Sequence, residues 1–144
     1  GANLVYAIDV GYGQLDWRLR NNERVVVLER TNARKLNKKL ISDKIDIVVC
    51  DVSFISLKKV IPPSLKLLKK NFSLILLIKP QFEAGKEYVG KGGIIRDDTI
   101  HEKVCMNLSE WFIYNFNLKI IDIIESPITG QKGNKEFFIY ITNA

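Results

Sequence analysis

"LVYAIDVGYGQLDW", residues 4–17, passes from a run of β-forming apolar residues into an acid, Asp9, and then into Gly11-Tyr12-Gly13. A strand that ends in a glycine turn and leads into a helical pattern is how a nucleotide-binding strand–helix unit begins. What the turn holds decides the reading. A phosphate-cradling loop has the spacing G-x-G-x-x-G, whereas here the residue three beyond Gly13 is Asp16. A carboxylate in that turn repels a pyrophosphate. The glycines let the chain turn tightly, and Asp9 suits the paired hydroxyls of a ribose, as an acid at the end of a second strand does. The stretch therefore reads as an acid-bearing second strand and not as a phosphate loop.

The same alternation of strand and helix continues outward from it. Strands are expected at residues 5–8, 25–28, 45–50, 72–78, 118–125 and 137–142. Helices are expected at 14–20, 33–41, 57–69 and from 98 or 99 to about 115, with Asp98 or Thr99 as the N-cap of the last. Residues 45–50 are apolar apart from Asp46, as a strand buried on both faces should be. Pro62 and Pro63 kink or split the third helix. Residues 81–97 have no period and read as a long loop, functional or mobile. This order, closing on two successive strands, predicts an α/β three-layer sandwich. Its sheet is mostly parallel, with an antiparallel last strand.

With 144 residues, 47% of them hydrophobic and 26% charged, the chain reads as one globular domain over residues 1–144. Its longest apolar run, residues 72–78, is strand-sized, so no membrane span is expected. No secretory signal pattern precedes it. The two cysteines, Cys50 and Cys105, read as buried free thiols in a reducing cytoplasm, and with the single His101 they are too few for a metal site. His101 reads as solvent-facing in the first turn of its helix. The net charge of +6 is that of many nucleic-acid-handling proteins, although a Lys- and Asn-rich genome gives it too.

Ligands of open α/β sheets bind beyond the carboxyl ends of the strands. Polar groups gather there: Asp9, the segment from Glu29 to Asn32, Asp51 and Lys79, with Glu136 at the start of an antiparallel strand on the same edge. A serine nucleophile is not expected, because Ser53 in "DVSF" lacks the G-x-S-x-G setting and the only histidine lies far along the chain.

Residues 5–34 ("VYAIDVGYGQLDWRLRNNERVVVLERTNAR"), "DIVVCDVSFISL", "LIKPQFEAGKEYVGKGGIIRD" and "SPITGQKGNKEFFIYI" together resemble the TlyA, or hemolysin A, family of FtsJ-like ribosomal RNA methyltransferases. The resemblance runs in order through essentially the whole chain. It implies a Rossmann-like methyltransferase fold and S-adenosylmethionine as cofactor. It also implies a cytidine ribose 2′-hydroxyl of ribosomal RNA as substrate, with ribosomal RNA or ribosomal subunits as partners and no membrane. Of the family's Lys-Asp-Lys-Glu catalytic set, it places the aspartate at Asp51, the second lysine at Lys79 and the glutamate at Glu136. Asp9, Asn32 and Asp51 are the implied cofactor-binding residues, Asp9 for the ribose and Asn32 for the adenine. The first lysine, the glycine-rich first cofactor motif with its strand and the small S4-type RNA-binding domain have no counterpart here. The expectation is therefore a domain truncated at its N-terminus and unable to bind the cofactor well alone. Its strands at residues 5–8 and 47–50 either pair directly or flank an empty slot. No metal is required.

Lys79 is read either as the base that takes the hydroxyl proton or, since carboxylates beside it favour its charged form, as a positioning cation. Residues 85–93 are read as a loop whose Lys86 and Lys91 meet RNA phosphates. Two other readings stay open: a non-catalytic RNA- or partner-binding module of the same fold, and a membrane-damaging hemolysin, which no amphipathic membrane helix supports.

Overall fold

The computed structural model describes residues 1–144. The chain forms two compact units, one of Gly1–Lys44 with Val60–Leu67 and one of Ile45–Lys59 with Leu68–Ala144.

In the first unit, strands β1 (Val5–Ile8) and β2 (Val25–Leu28) pair in parallel, Val5 opposite Val25 and Ile8 opposite Leu28. Between them the expected helix shrinks to one turn, α1 (Trp17–Arg20), capped by the Asp16 side chain. The helix expected at 33–41 is also reduced, to a single 3-10 turn at Ala33–Lys35. Asn37 explains why. Its Oδ1 accepts the N–H groups of Lys39 and Leu40, at 2.9 and 3.2 Å, and so offers the backbone an alternative to helical bonds.

The second unit is a four-stranded sheet in the order β3 (Ile45–Cys50), β4 (Leu68–Ile78), β6 (Phe137–Asn143), β5 (Leu118–Glu125). β3 and β4 are parallel, and β6 runs antiparallel to both its neighbours, as the sequence predicts. β1 and β3 belong to different sheets, so the strands at 5–8 and 47–50 do not pair directly. The third expected helix is split into α2 (Leu57–Val60) and α3 (Pro62–Leu65), with the prolines in the first turn of α3, where a missing N–H costs nothing. A fourth, unforeseen turn of helix, α4 (Pro80–Glu83), follows β4 directly.

Helix α5 (Asp98–Phe116) is capped by Asp97, one residue before the expected cap, and ends on Asn117 in the left-handed conformation. Its stripe of His101, Val104, Cys105, Leu108 and Phe112 is buried, as are Leu74, Leu76, Ile78, Ile139 and Ile141 on alternate positions of β4 and β6. His101 is therefore a core residue, 3% exposed and packed on Phe137, and not the solvent-facing one expected. The other face of the sheet is open. Ile47 and Val49 are 60% and 74% exposed, so β3 is not buried on both faces, and its edge away from β4 carries no partner strand.

Candidate functional site

In the first unit, the end of β1 delivers Asp9 into a cleft of about 280 Å³ lined by Ala7, Ile8, Gly11, Gln14, Leu15 and Glu29. The turn is drawn in upon the acid: Asp9 Oδ1 accepts the Gly11 N–H at 2.8 Å. Backbone bonds from Arg30 to Gly11 and from Thr31 to Asp9 fasten it to the chain beyond β2, and the Arg30 guanidinium lies over the Tyr12 ring at 4.6 Å. The Gly11 amide is thus spent on Asp9 and not free for a phosphate. Glu29, the second carboxylate of the cleft, is held by Arg20. An acceptor-rich cleft of this kind suits donors such as ribose hydroxyls and rejects phosphate. Asn32 does not line it. Its side-chain oxygen caps the turn at Ala33–Lys35 through the Arg34 N–H at 2.9 Å.

The second unit collects Asp51, Lys79 and Glu136 at one end of its sheet. Pro80 cannot extend the β4 ladder, so the strand stops at Ile78 and Lys79 becomes the cap of α4. Ile78 pairs with Phe137, which puts Lys79 and Glu136 at the next facing position of the same register. The largely buried Lys79 side chain reaches the loop after β3, where its Nζ lies 2.6 Å from Asp51 Oδ1 and donates to Ser53 Oγ at 2.9 Å. Glu136 is buried, but its carboxylate forms no ion pair with Lys79 within 4.0 Å. It lies instead against Gly130, where an added Cβ would collide with Glu136 Oε1. Lys79 and Asp51 therefore meet in one cluster, while Glu136 borders it from the neighbouring strand.

The clash at Gly130 is with the far end of a side chain and not with backbone. Gly130→Ala should accordingly move the Glu136 carboxylate at little cost in folding. In an active enzyme containing this chain, the expected result is turnover lowered about tenfold, less than the roughly 10²-fold or more that follows outright loss of a positioned acid–base group, because the carboxylate is displaced and not removed, with the melting temperature almost unchanged. Full turnover would remove Glu136 from the reaction.

Two further residues hold the Asp51 loop. Glu83 accepts from the Ser56 hydroxyl at 2.6 Å and from the Leu57 N–H at 2.8 Å, so it caps α2 from the neighbouring α4. Burial pushes the Glu83 carboxyl up from its ordinary range, against the pull of those two hydrogen bonds. Phe54 has φ = 64°, a conformation rarely adopted by a bulky residue, and its exposed ring packs on Phe82 at 4.9 Å between centroids. Backbone strain of this kind gathers at functional sites. Burial, and then the Asp51 carboxylate, push the Cys50 thiol up to about 11, which leaves it protonated and inert at neutral pH. Sequence reasoning weighed Ser53 only as a nucleophile and passed over Phe54 and Glu83. The signal for Glu83 was its place four residues beyond Lys79, in a segment read as loop.

The FtsJ-like methyltransferase family matches residues 1–143 of the chain. Over 141 residues the chain is 42% identical to the 16S/23S rRNA (cytidine-2′-O)-methyltransferase TlyA of Mycobacterium tuberculosis, covering 98% of this chain and 52% of that protein. It is 45% identical over 141 residues to Hemolysin A of Brachyspira hyodysenteriae, covering 97% of this chain and 58% of that protein. The chain thus spans about half the length of these curated relatives. A solved structure titled a putative hemolysin from Streptococcus thermophilus superposes with a TM-score of 0.94 at 38% identity, over 100% of this chain and 52% of that one. The N-methyltransferase NodS of Bradyrhizobium japonicum, at 12% identity and a TM-score of 0.59 over 97% of this chain and 73% of that one, shares the fold. No helix of the chain is long and apolar enough to cross a membrane.

Proposed function

Because the chain belongs to the FtsJ-like methyltransferase family, we propose that it forms the methyl-transferring part of an S-adenosylmethionine-dependent enzyme acting on the 2′-hydroxyl of cytidine in ribosomal RNA. The observation that carries this reading is the Lys79 ammonium held between Asp51 and Ser53 at the sheet edge that Glu136 shares. The substrate class follows relatives named as cytidine-2′-O-methyltransferases of rRNA.

The residues present fit the cofactor. Asp9 and Glu29 offer carboxylate oxygens where ribose hydroxyls would donate, and the Gly11 N–H of the turn is already taken by Asp9. Asn32 spends its oxygen on its own turn, which leaves its NH₂ for an adenine nitrogen. S-adenosylmethionine, when bound, supplies a methyl group on a sulfonium.

Methyl transfer to a hydroxyl is an in-line displacement that needs the oxygen held at about 3 Å and its proton weakened. Lys79 has bonds to Asp51 and Ser53 and a third N–H to give to a ribose oxygen. A cation at that position lowers the cost of ionising the hydroxyl. Asp51, one hydrogen bond from Lys79, is the acceptor at hand for the proton. Lys79 in this reading orients and polarises; it does not need to be neutral. Exposed Lys86 and Lys91 supply cations for the RNA backbone.

The test is transfer of a labelled methyl group from S-adenosylmethionine to ribosomal subunits by the full-length protein that contains this chain. Digestion to nucleosides should return the label as 2′-O-methylcytidine. Label on a base, or none on RNA, would sink the proposal.

A further inference from the structure

Two segments far apart in sequence, the glycine turn at residues 90–95 and the loop at 130–136 that leads into Glu136, are joined chiefly by one side chain. Asn134 is 4% exposed. Its Oδ1 accepts the Ile95 N–H at 3.0 Å, and its Nδ2 donates to the carbonyls of Gly93 at 2.9 Å and Gln131 at 3.3 Å. This assignment of oxygen and nitrogen is forced, since the reverse would set an oxygen against two carbonyls. Ile95 is itself buried, and its carbonyl faces His101 Nε2 at 3.1 Å. Both polar groups of Ile95 are therefore taken by side chains. Around this point, Lys132 donates to the Gly92 carbonyl at 2.9 Å and Lys135 pairs with Asp98 at 3.0 Å.

Without such ties the turn has little to hold it. Gly92 and Gly93 both have positive φ, and one narrow bridge, Gly90 to Ile94, closes it. Lys91 sits at its exposed tip. On the other side, the Gly130 N–H donates to the Asn134 carbonyl at 2.7 Å, and it is Gly130 that the Glu136 carboxylate lies against. Asn134 thus has the turn at its side chain and the seat of Glu136 at its backbone.

We propose that Asn134 is a positioning residue that locks the Lys91 turn to the seat of Glu136, so that the RNA-facing tip and the reacting edge hold one fixed register. The inference rests on the methyltransferase reading above. Asn134 touches no reacting atom in it; it acts through Glu136 and the turn.

Asn134→Asp keeps the shape of the side chain, but its ionised carboxylate has no N–H to give the two carbonyls. In the full-length protein containing this chain, hydrogen exchange of the amides at residues 90–95 should rise at least tenfold in this variant. S-adenosylmethionine affinity should stay within twofold, turnover should fall about tenfold, and KM for RNA should rise severalfold. His101→Leu attacks the same point from the Ile95 carbonyl and should give the same pattern, while His101→Gln, which keeps a donor, should restore it; this pair decides the matter should Asn134→Asp not fold. Unchanged exchange at 90–95, or turnover within twofold of the parent, in a folded variant would each overturn the proposal. If the parent protein methylates no RNA, the methyltransferase reading fails by itself, and the exchange result still decides whether the lock exists.

Discussion

Lys79→Ala is expected to lower turnover by about 10²-fold or more in an active enzyme containing this chain, the usual cost of losing a positioned acid–base group. Cofactor affinity should hardly change, because the side chain spends its bonds on Asp51 and Ser53. The arginine variant carries more information. Arginine stays charged and cannot serve as a base. If Lys79 works as a cation that orients and polarises the hydroxyl, Lys79→Arg should recover a measurable part of the lost rate. If it works as a base, arginine should be as poor as alanine. Single-turnover rates for both variants, at saturating cofactor and RNA, check this. Near-normal turnover in Lys79→Ala would take the residue out of the mechanism.

Asp9→Ala should act on a different quantity. Hydrogen bonds to a charged group contribute about 1.5–3 kcal/mol each. Loss of a carboxylate that accepts from two ribose hydroxyls should then weaken S-adenosylmethionine binding by about 10²-fold or more. RNA affinity should stay as it was. The Asp9→Asn variant keeps an oxygen acceptor and should fall between the two. Titration calorimetry with the cofactor, beside an RNA-binding measurement, separates these outcomes. Equal cofactor affinity before and after the change would show that the cleft at the end of β1 holds something else.

Most of the strands were legible in the sequence because each is a short apolar run bounded by polar or breaking residues. Val25–Leu28, for instance, lies between Arg24 and Glu29. β4 instead begins at Leu68, inside the stretch expected to be helical, because its first residues, Leu68–Asn71, are mostly polar. The helices of the first unit were not legible to their ends. Leu15 and Leu19 have helical spacing, but Leu15 lines the cleft and Asp16 starts the helix after it. At 33–41 the apolar positions suggested a helix that the Asn37 side chain undoes.

His101 was misread because the polar run around it looks like a solvated first turn. The helical spacing from His101 to Val104, Cys105 and Leu108 was already the signature of a buried stripe. Of the site, the residues at strand ends could be named from pattern and family resemblance together. Ser53, Phe54, Glu83 and Asn134 could not, since their parts depend on distant backbone: Asn134 binds a peptide group 39 residues away in sequence. No spacing rule over neighbouring residues contains that information.

The open flank of β3 also sets how this chain behaves at high concentration. "IDIVVC" is short, rich in β-branched residues, free of proline and glycine, and presents an unpaired row of backbone donors and acceptors. Segments of that kind template cross-β association between copies. The charge within it is Asp46, paired with Lys69 at 2.8 Å near the beginning of the strand. That pair is the local gatekeeper: it sets a fixed, hydrated charge beside Ile47 and Val49, where a second strand would otherwise lie flat. High salt, which screens such exposed pairs, is the condition under which the segment is least protected.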